Sequence, residues 1–162
     1  MAQVTAALVK QLREMTDSPM MECKKALVEA DGDIDKAVDI LRTMGIAKAV
    51  KRAGRDTNEG TIAAYVSEDG KLGALLELTC ETDFVGTNPK FTGFALDLAK
   101  IVAENDPADV DALKACAMGE STVDAELTEM IHVIGENMKV ARFQRVTAED
   151  GALGSYVHLG GK

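Results

Sequence analysis

Histidine and cysteine, which commonly act as bases and nucleophiles in catalysis, are few in this sequence and do not fall into the patterns that catalysis requires. The chain has two histidines, His132 and His158, and three cysteines, Cys23, Cys80 and Cys116. A cysteine nucleophile needs a base to activate it, and no local motif pairs a cysteine with a histidine here. The cysteines are odd in number, widely spaced and without a C-x-x-C pair, so we interpret them as reduced, partly buried thiols.

Motifs for nucleotide, metal and acyl chemistry are also missing from the sequence. It contains no G-x-x-x-x-G-K-[ST], no G-x-G-x-x-G, no H-E-x-x-H and no G-x-S-x-G. We therefore predict no catalytic residue, no cofactor and no metal site. His132 follows the apolar Ile131 in a helical pattern and is expected on the surface of that helix.

One connection nevertheless carries residues that could bind a partner. Residues 81–86 read Glu-Thr-Asp-Phe-Val-Gly and place an aromatic ring and a valine in a connection that should be short and polar. Phe84 could fold inward as a plug between a sheet and a helix. It could also project as a hydrophobic anchor for a partner, with Asp83 beside it to fix the orientation. Both alternatives stay open from chemistry alone.

A pair of adjacent methionines, Met20 and Met21, is a second candidate contact surface. Methionine fills irregular gaps in cores and also forms soft, adaptable binding surfaces. A helix can bury only one of two adjacent residues deeply, so one of the pair is expected to face outward.

The elements that must position these residues begin with three short helices. Apolar residues recur every four positions over Val4–Met15 and predict the first helix. Ser18, before a proline, is expected to cap the second helix, and Asp33 the third, which is predicted to end at Gly45. The basic segment 46–55 is predicted to be a linker, helical at most at its start, whose charges face either solvent or a partner.

After Gly60 the pattern changes to that of strands mixed with helices. Two strand-like runs flank Asp69-Gly70, which favours a hairpin with a type I′ turn. An amphipathic helix is predicted from Asn88-Pro89 to residue 105. The remaining predicted elements are helices over 110–117 and 123–134 and strands over 138–146 and 153–159. The fold class expected is α+β, with a three- to four-stranded antiparallel sheet packed with helices.

Composition and charge exclude several classes of protein. The 162 residues are 46% hydrophobic, which is enough for a packed core. The formal charge of −9 argues against a protein that wraps nucleic acid. Residues 1–55 carry ten Lys and Arg against eight Asp and Glu, whereas residues 56–162 carry eight against 19. No apolar run is long enough to cross a membrane and no signal peptide is recognisable, so a soluble cytoplasmic protein is predicted.

Several ordered stretches resemble the elongation factor Ts family over the whole length of the chain. They are Leu-Arg-Glu-Met-Thr at 12–16, Met-Met-Glu-Cys-Lys-Lys-Ala-Leu at 20–27, Glu-Leu-Thr-Cys-Glu-Thr-Asp-Phe-Val at 77–85, Ile-Gly-Glu-Asn at 134–137 and Gly-Ser-Tyr-Val-His at 154–158. The departures are local. Asp17 and Pro19 stand where the family usually has glycines, and Thr79 replaces a usual asparagine.

The resemblance implies a guanine-nucleotide exchange factor for elongation factor Tu, which would bind both the GDP-bound and the nucleotide-free partner and neither nucleic acid nor membrane. It implies a three-helix, ubiquitin-associated-like docking module with its linker start in residues 1–55 and an α+β core in residues 56–162. The residues expected to displace the partner's magnesium are Thr82, Asp83, Phe84 and Val85. Those expected to grip the partner are Arg13, Met20, Met21 and Lys24.

The resemblance also implies that the family's usual core continues beyond Lys162, which would leave a strand over 153–159 with an unpaired edge. The alternative function is a non-catalytic, ubiquitin-associated-like interaction module. Loop 82–85 separates the two hypotheses, because an interaction module has no need of it.

Overall fold

A computed structural model of the chain describes residues 4–162, so the first three residues of the predicted module lie outside the described part. The fold is α+β, as predicted. Its helices are α1 (Ala6–Thr16), α2 (Met20–Glu29), α3 (Ile34–Arg52), α4 (Asp83–Gly86), α5 (Pro89–Asn105), α6 (Val110–Ala115) and α7 (Val123–Ile134). Its strands are β1 (Glu59–Val66), β2 (Leu72–Cys80), β3 (Ala117–Met118), β4 (Ser121–Thr122) and β5 (Met138–Thr147), and a 3-10 turn follows at His158–Gly161.

The chain divides into two compact units. The first comprises the chain up to Gly54 together with Thr128–Gly135, and the second comprises Arg55–Leu127 and Glu136–Lys162. The C-terminal part of α7, which the predicted boundary at 55/56 assigned to the core, therefore groups with the N-terminal helices.

The first unit packs α1, α2 and α3 around an aliphatic core. Leu12, Cys23, Leu27, Ala37 and Leu41 are buried in it, one or two from each helix. The helices begin where side chains can satisfy the first free N–H groups. The Thr5 hydroxyl accepts a hydrogen bond from the Leu8 amide, and the Asp33 carboxylate accepts one from the Lys36 amide.

Helix α3 does not end at Gly45, as predicted, but continues to Arg52. The predicted linker 46–55 is therefore mostly helical. Gly45 is buried, and a Cβ at this position would lie 3.2 Å from Cγ of His132. The glycine thus allows a close approach within the unit and is not a stop signal, and the Ala and Lys residues that follow favour a helix.

The predicted cap of α2 is also wrong. The N-cap position is Pro19, no side chain caps the helix, and Ser18 is buried with its hydroxyl 3.2 Å from Nε2 of His132. The Ser18 hydroxyl lies against the His132 ring of another helix, and no side chain caps the α2 backbone.

The second unit is built on a three-stranded antiparallel sheet of order β1-β2-β5. Helix α5 packs on one face and buries Phe91, Leu98 and Val102. It begins as predicted, because Asn88 accepts a hydrogen bond from the Lys90 amide and a proline occupies the first turn. The last rung between β2 and β5 pairs Cys80 with Met138.

The β1–β2 hairpin is confirmed, but its turn is not type I′. A type I′ turn needs positive φ at both central residues. Here Gly70 has φ 67°, whereas Asp69 is not among the residues with positive φ. The loop instead uses side chains, because the Ser67 hydroxyl accepts from the Leu72 amide and Asp69 accepts from the Lys71 amide.

No strand forms over 153–159, contrary to the prediction. The chain folds back after β5, where the Leu153 amide donates to the Gly70 carbonyl at 2.8 Å. Leu159 and Gly160 then take left-handed conformations, with φ 48° and 68°. Left-handed residues cannot continue an extended strand, so the segment ends as a 3-10 turn.

Candidate functional site

Residues 82–85 form an ordered helical turn directly after β2. Thr82 is the N-cap of α4, and its hydroxyl accepts a hydrogen bond from the Val85 amide at 3.5 Å. Phe84 is 83% exposed, whereas Val85 is 9% exposed and Gly86 is buried. A Cβ on Gly86 would lie 3.1 Å from the Gly60 carbonyl oxygen, so a larger residue would push the turn away from β1 by a few tenths of an ångström.

The exposure of the ring decides between the two alternatives for Phe84. The side chain is not a plug in the core but projects from the surface, and Asp83 beside it is exposed as well. Successive residues of a helical turn point about 100° apart, so 84 and 85 cannot both face inward. Val85 is the residue that anchors the turn.

Two carboxylates hold the start of this turn, and we call the Glu81 and Glu136 side chains the carboxylate clasp. Glu136 accepts hydrogen bonds from the Glu81 amide at 3.1 Å, the Thr82 amide at 3.0 Å and the Thr82 hydroxyl at 2.7 Å. In return Glu81 accepts from the Asn137 amide at 2.6 Å and pairs with Arg55 at 3.3 Å. The clasp thus connects the segments that follow β2 and precede β5 through side-chain-to-backbone hydrogen bonds, just beyond the last backbone pair of the sheet.

Sequence reasoning did not find the clasp. Residues 134–137 stand out in the sequence only through the resemblance, and the two carboxylates are 55 positions apart along the chain. A local pattern carries no signal for a hydrogen-bonded pair of this separation. The nearest signal is that both carboxylates flank the predicted ends of neighbouring strands.

Cys80 contributes a hydrogen bond to the same turn. Its thiol donates to the Thr82 carbonyl oxygen at 3.2 Å. Burial, together with the neighbouring Glu136 carboxylate, raises the pKa of this thiol to about 11. Cys80 is therefore a protonated donor and not a nucleophile at neutral pH, in agreement with its interpretation as a reduced thiol.

The residues predicted to grip a partner all lie on the surface of the first unit. Arg13 is in the last turn of α1, Met20 and Met21 are in the first turn of α2, and Lys24 follows one turn later; all four are exposed. Met20 and Met21 are 53% and 63% exposed, so both face outward. Met15, which sequence reasoning did not select, is exposed too, at the end of α1.

A buried polar cluster lies next to the start of α2. His132, predicted on a helix surface, is only 2% exposed. Its Nε2 lies 3.2 Å from the Ser18 hydroxyl and 3.6 Å from the Glu22 carboxylate, which also forms an ion pair with Lys48. Burial lowers the pKa of His132 below its ordinary value, because an imidazolium would lose its hydration there.

The described residues contain neither a metal-ligand cluster nor a membrane-spanning helix. In residues 4–162, no group of three or more His, Cys, Asp and Glu residues could hold a metal ion. Over the same range, no helix is both long and apolar enough to span a bilayer.

Comparison with known proteins identifies the chain. The family model for Elongation factor TS matches residues 81–162. An Elongation factor Ts from Bordetella avium (strain 197N) is 54% identical over 160 residues, which are 99% of this chain and 54% of that protein. The Elongation factor Ts of Azoarcus sp. (strain BH72) is 53% identical over 162 residues, and that of Clostridium perfringens (strain SM101 / Type A) is 50% identical over 160, covering 54% and 53% of their lengths. The chain thus spans about half the length of the curated relatives it matches, and it belongs to the elongation factor Ts family.

Proposed function

We propose that this chain acts in translation elongation as a guanine-nucleotide exchange factor, binding elongation factor Tu in its GDP-bound state and promoting release of GDP. The observation that carries the proposal is the exposed ring of Phe84 on an ordered turn. Burial of a large exposed apolar side chain in a pocket of a partner is favourable, so such a side chain is suited to act as an anchor.

Exchange by this route needs no catalytic group on the chain itself. Magnesium bridges the phosphate oxygens of a bound nucleotide and neutralises their charge. Insertion of Asp83 and Phe84 beside the partner's nucleotide site would displace the groups that hold the magnesium and so weaken GDP binding. Thr82 and Val85 would hold the inserted turn in place, because the Thr82 hydroxyl is hydrogen-bonded to Glu136 and the Val85 side chain is buried in the second unit.

The exposed residues of the first unit supply a separate docking surface in this proposal. Met20 and Met21 offer adaptable apolar area, and Arg13 and Lys24 add positive charge around it. Exposed apolar side chains grouped with charged neighbours are typical of surfaces that bind another protein.

Stopped-flow release of fluorescently labelled GDP from elongation factor Tu tests the proposal. The release rate should rise with the concentration of this chain and saturate, and no GTP should be hydrolysed by the chain alone. Leu96→Ala is a suitable control, since it removes an exposed apolar side chain from α5 without touching the turn. A release rate that stays flat over the whole titration would contradict the proposal.

The division between docking and exchange is tested by the double variant Met20→Ser, Met21→Ser. It should raise the concentration for half-maximal exchange roughly tenfold or more while a measurable maximal rate remains. Deletion of residues 1–45 is less suitable, because α3 runs on to Arg52 and residues 128–135 belong to the same unit. Loss of all exchange at saturating concentrations of the double variant would show that docking and exchange are not separable.

The alternative is a non-catalytic, ubiquitin-associated-like interaction module. The exposed methionines are equally consistent with such a module and with an exchange factor that docks through them. The same titration decides between the two. An interaction module would bind its partner without changing the rate of GDP release, and Phe84→Ala would have no effect on its binding.

A further inference from the structure

We infer that Glu136 is a positioning residue for exchange: its carboxylate holds the 82–85 turn in the one conformation that presents Phe84. This inference rests on the proposed function, and it deepens it by naming the group that orders the exchange turn. Glu136 lies outside the turn itself and far from it in sequence, yet it accepts three hydrogen bonds from Glu81 and Thr82.

The first argument comes from the Thr82 hydroxyl, whose proton has a defined direction. The hydroxyl donates to Oε1 of Glu136 at 2.7 Å and accepts from the Val85 amide. A hydroxyl rotates freely unless a strong acceptor fixes it, and a carboxylate is the strongest acceptor among side chains. Glu136 therefore orients the lone pairs of Thr82 toward the Val85 amide, one of the free N–H groups in the first turn of α4.

The second argument is that the turn is too short to order itself. Helix α4 has four residues, Asp83–Gly86, and a single helical turn is unstable in water because nucleation costs more than its few hydrogen bonds return. Its order must come from its two ends. Val85 and Gly86 fix the far end by burial, and the clasp fixes the near end.

The third argument concerns what the clasp does not do. It lies beyond the last rung of the β2–β5 ladder, Cys80 with Met138, so the sheet keeps all of its backbone pairs without it. The core residues Leu76, Leu78 and Val140 are buried within the paired part of β2 and β5. Removal of the carboxylate should release the turn without unfolding the second unit.

We therefore predict that docking and the order of the turn affect two different kinetic quantities, the half-maximal concentration and the maximal exchange rate. Docking through the first unit sets the concentration for half-maximal exchange, while the fraction of docked complexes that have an ordered turn sets the maximal rate. Glu136→Ala should lower the maximal rate about tenfold and change the half-maximal concentration less than twofold, because only the competent fraction falls. This split is the reverse of that expected for the methionine variants.

Conservative variants refine the test. Thr82→Ser keeps the hydroxyl and should retain exchange, whereas Thr82→Val keeps the shape without the hydroxyl and should resemble Glu136→Ala. Glu136→Gln keeps one acceptor for the two amides but places an NH₂ group against the Thr82 hydroxyl, so its maximal rate should be intermediate. Glu120→Ala, an exposed glutamate in the β3–β4 turn, is the matched control and should behave as the unmodified chain.

A measurement on the isolated chain keeps this inference separate from the proposed function. In amide hydrogen exchange followed by NMR, Glu136→Ala should remove protection at Thr82 and Val85 while Leu78 and Val140 stay protected. If the unmodified chain does not accelerate GDP release, the proposed function fails, whatever the amides show. If it does, and Glu136→Ala keeps the maximal rate or the amide protection of the turn, the inference about Glu136 is overturned.

Discussion

At the scale of single residues, Phe84 and Val85 are neighbours with opposite environments. The Phe84 ring is in water and the Val85 side chain is in the core of the second unit. Substitution of each to alanine therefore separates partner binding from folding at one turn.

Phe84→Ala should reduce exchange efficiency by about 2 kcal/mol or more, a roughly 30-fold loss, because a central aromatic anchor is removed. The melting temperature of the chain should not change, since the ring makes little contact within it. Stopped-flow GDP release and calorimetry measure the two quantities. A variant with unchanged exchange would show that the ring is not an anchor.

Val85→Ala is the complementary change and should act on folding. The loss of two buried methyl-sized groups should cost about 1–2 kcal/mol of unfolding free energy. For a chain of this size that corresponds to a shift of roughly 2–4 °C in melting temperature per kcal/mol.

Asp83→Asn, in contrast, should leave the melt unchanged and lower exchange, because it keeps the size of the side chain but removes the charge that acts on the partner's magnesium site.

The three cysteines should react with iodoacetamide in an order set by burial. Cys23 and Cys80 are buried, while Cys116 is partly accessible. With a pKa of about 11, only about one Cys80 thiol in a thousand is ionised at pH 8, and only the thiolate reacts. Mass spectrometry of the native chain should find Cys116 modified first. Modification of Cys80 ahead of Cys116 would contradict the burial of that thiol.

At the scale of elements, the buried His132 makes the first unit sensitive to acid. The ring faces Glu22 from α2 and Lys48 and Arg52 from α3. Burial holds the pKa of His132 below its ordinary value of 6.5, and the two cations act in the same direction, against the attraction of Glu22. The unfolded chain therefore binds a proton on this histidine more readily than the folded chain does.

The sign of the pH dependence follows from that difference. The contribution of His132 to stability is fully present above pH 6.5 and is lost as the pH falls through its folded pKa. Melting temperatures between pH 5.5 and 7.5 should fall on acidification, and less so in His132→Gln. His158→Gln is the control, since His158 is exposed. Equal slopes for the two variants would exclude His132 as the source.

The elements differ in how far the sequence determines them. Helix α5 is predictable because its cap, its proline and its apolar face all indicate the same structure. Gly45 misleads because glycine marks both helix ends and close approaches, and only the packed His132 ring shows which applies. The clasp at Glu136 depends on strand pairing between distant segments, which no local pattern encodes. Exposure of Phe84 is likewise a tertiary property, because Val85 competes with it for the same interior.

At the scale of the whole molecule, the two predicted surfaces belong to different units. The residues predicted to dock lie in the first unit, and the exchange turn lies in the second. The first 55 residues carry a small positive charge balance and the remainder a strong negative one. Salt should therefore weaken docking through Arg13 and Lys24 more than it weakens insertion of Phe84, since screening acts on charges and not on an apolar ring.

The last prediction concerns the complete exchange reaction and follows from linkage. If the chain weakens GDP binding to elongation factor Tu by some factor, then GDP must weaken binding of the chain by the same factor. We expect tight binding to nucleotide-free factor Tu and weak binding to the GDP complex.

Two independent titrations measure that factor. Calorimetry with nucleotide-free and GDP-loaded factor Tu gives the effect of GDP on the chain, and GDP affinity with and without saturating chain gives the reverse effect. Phe84→Ala should reduce both factors equally, because linkage makes the two factors one quantity and the ring is the group that opposes the nucleotide. Equal affinity of the chain for both states of factor Tu would mean that it binds without competing with the nucleotide, and the exchange mechanism would then be wrong even if a complex forms.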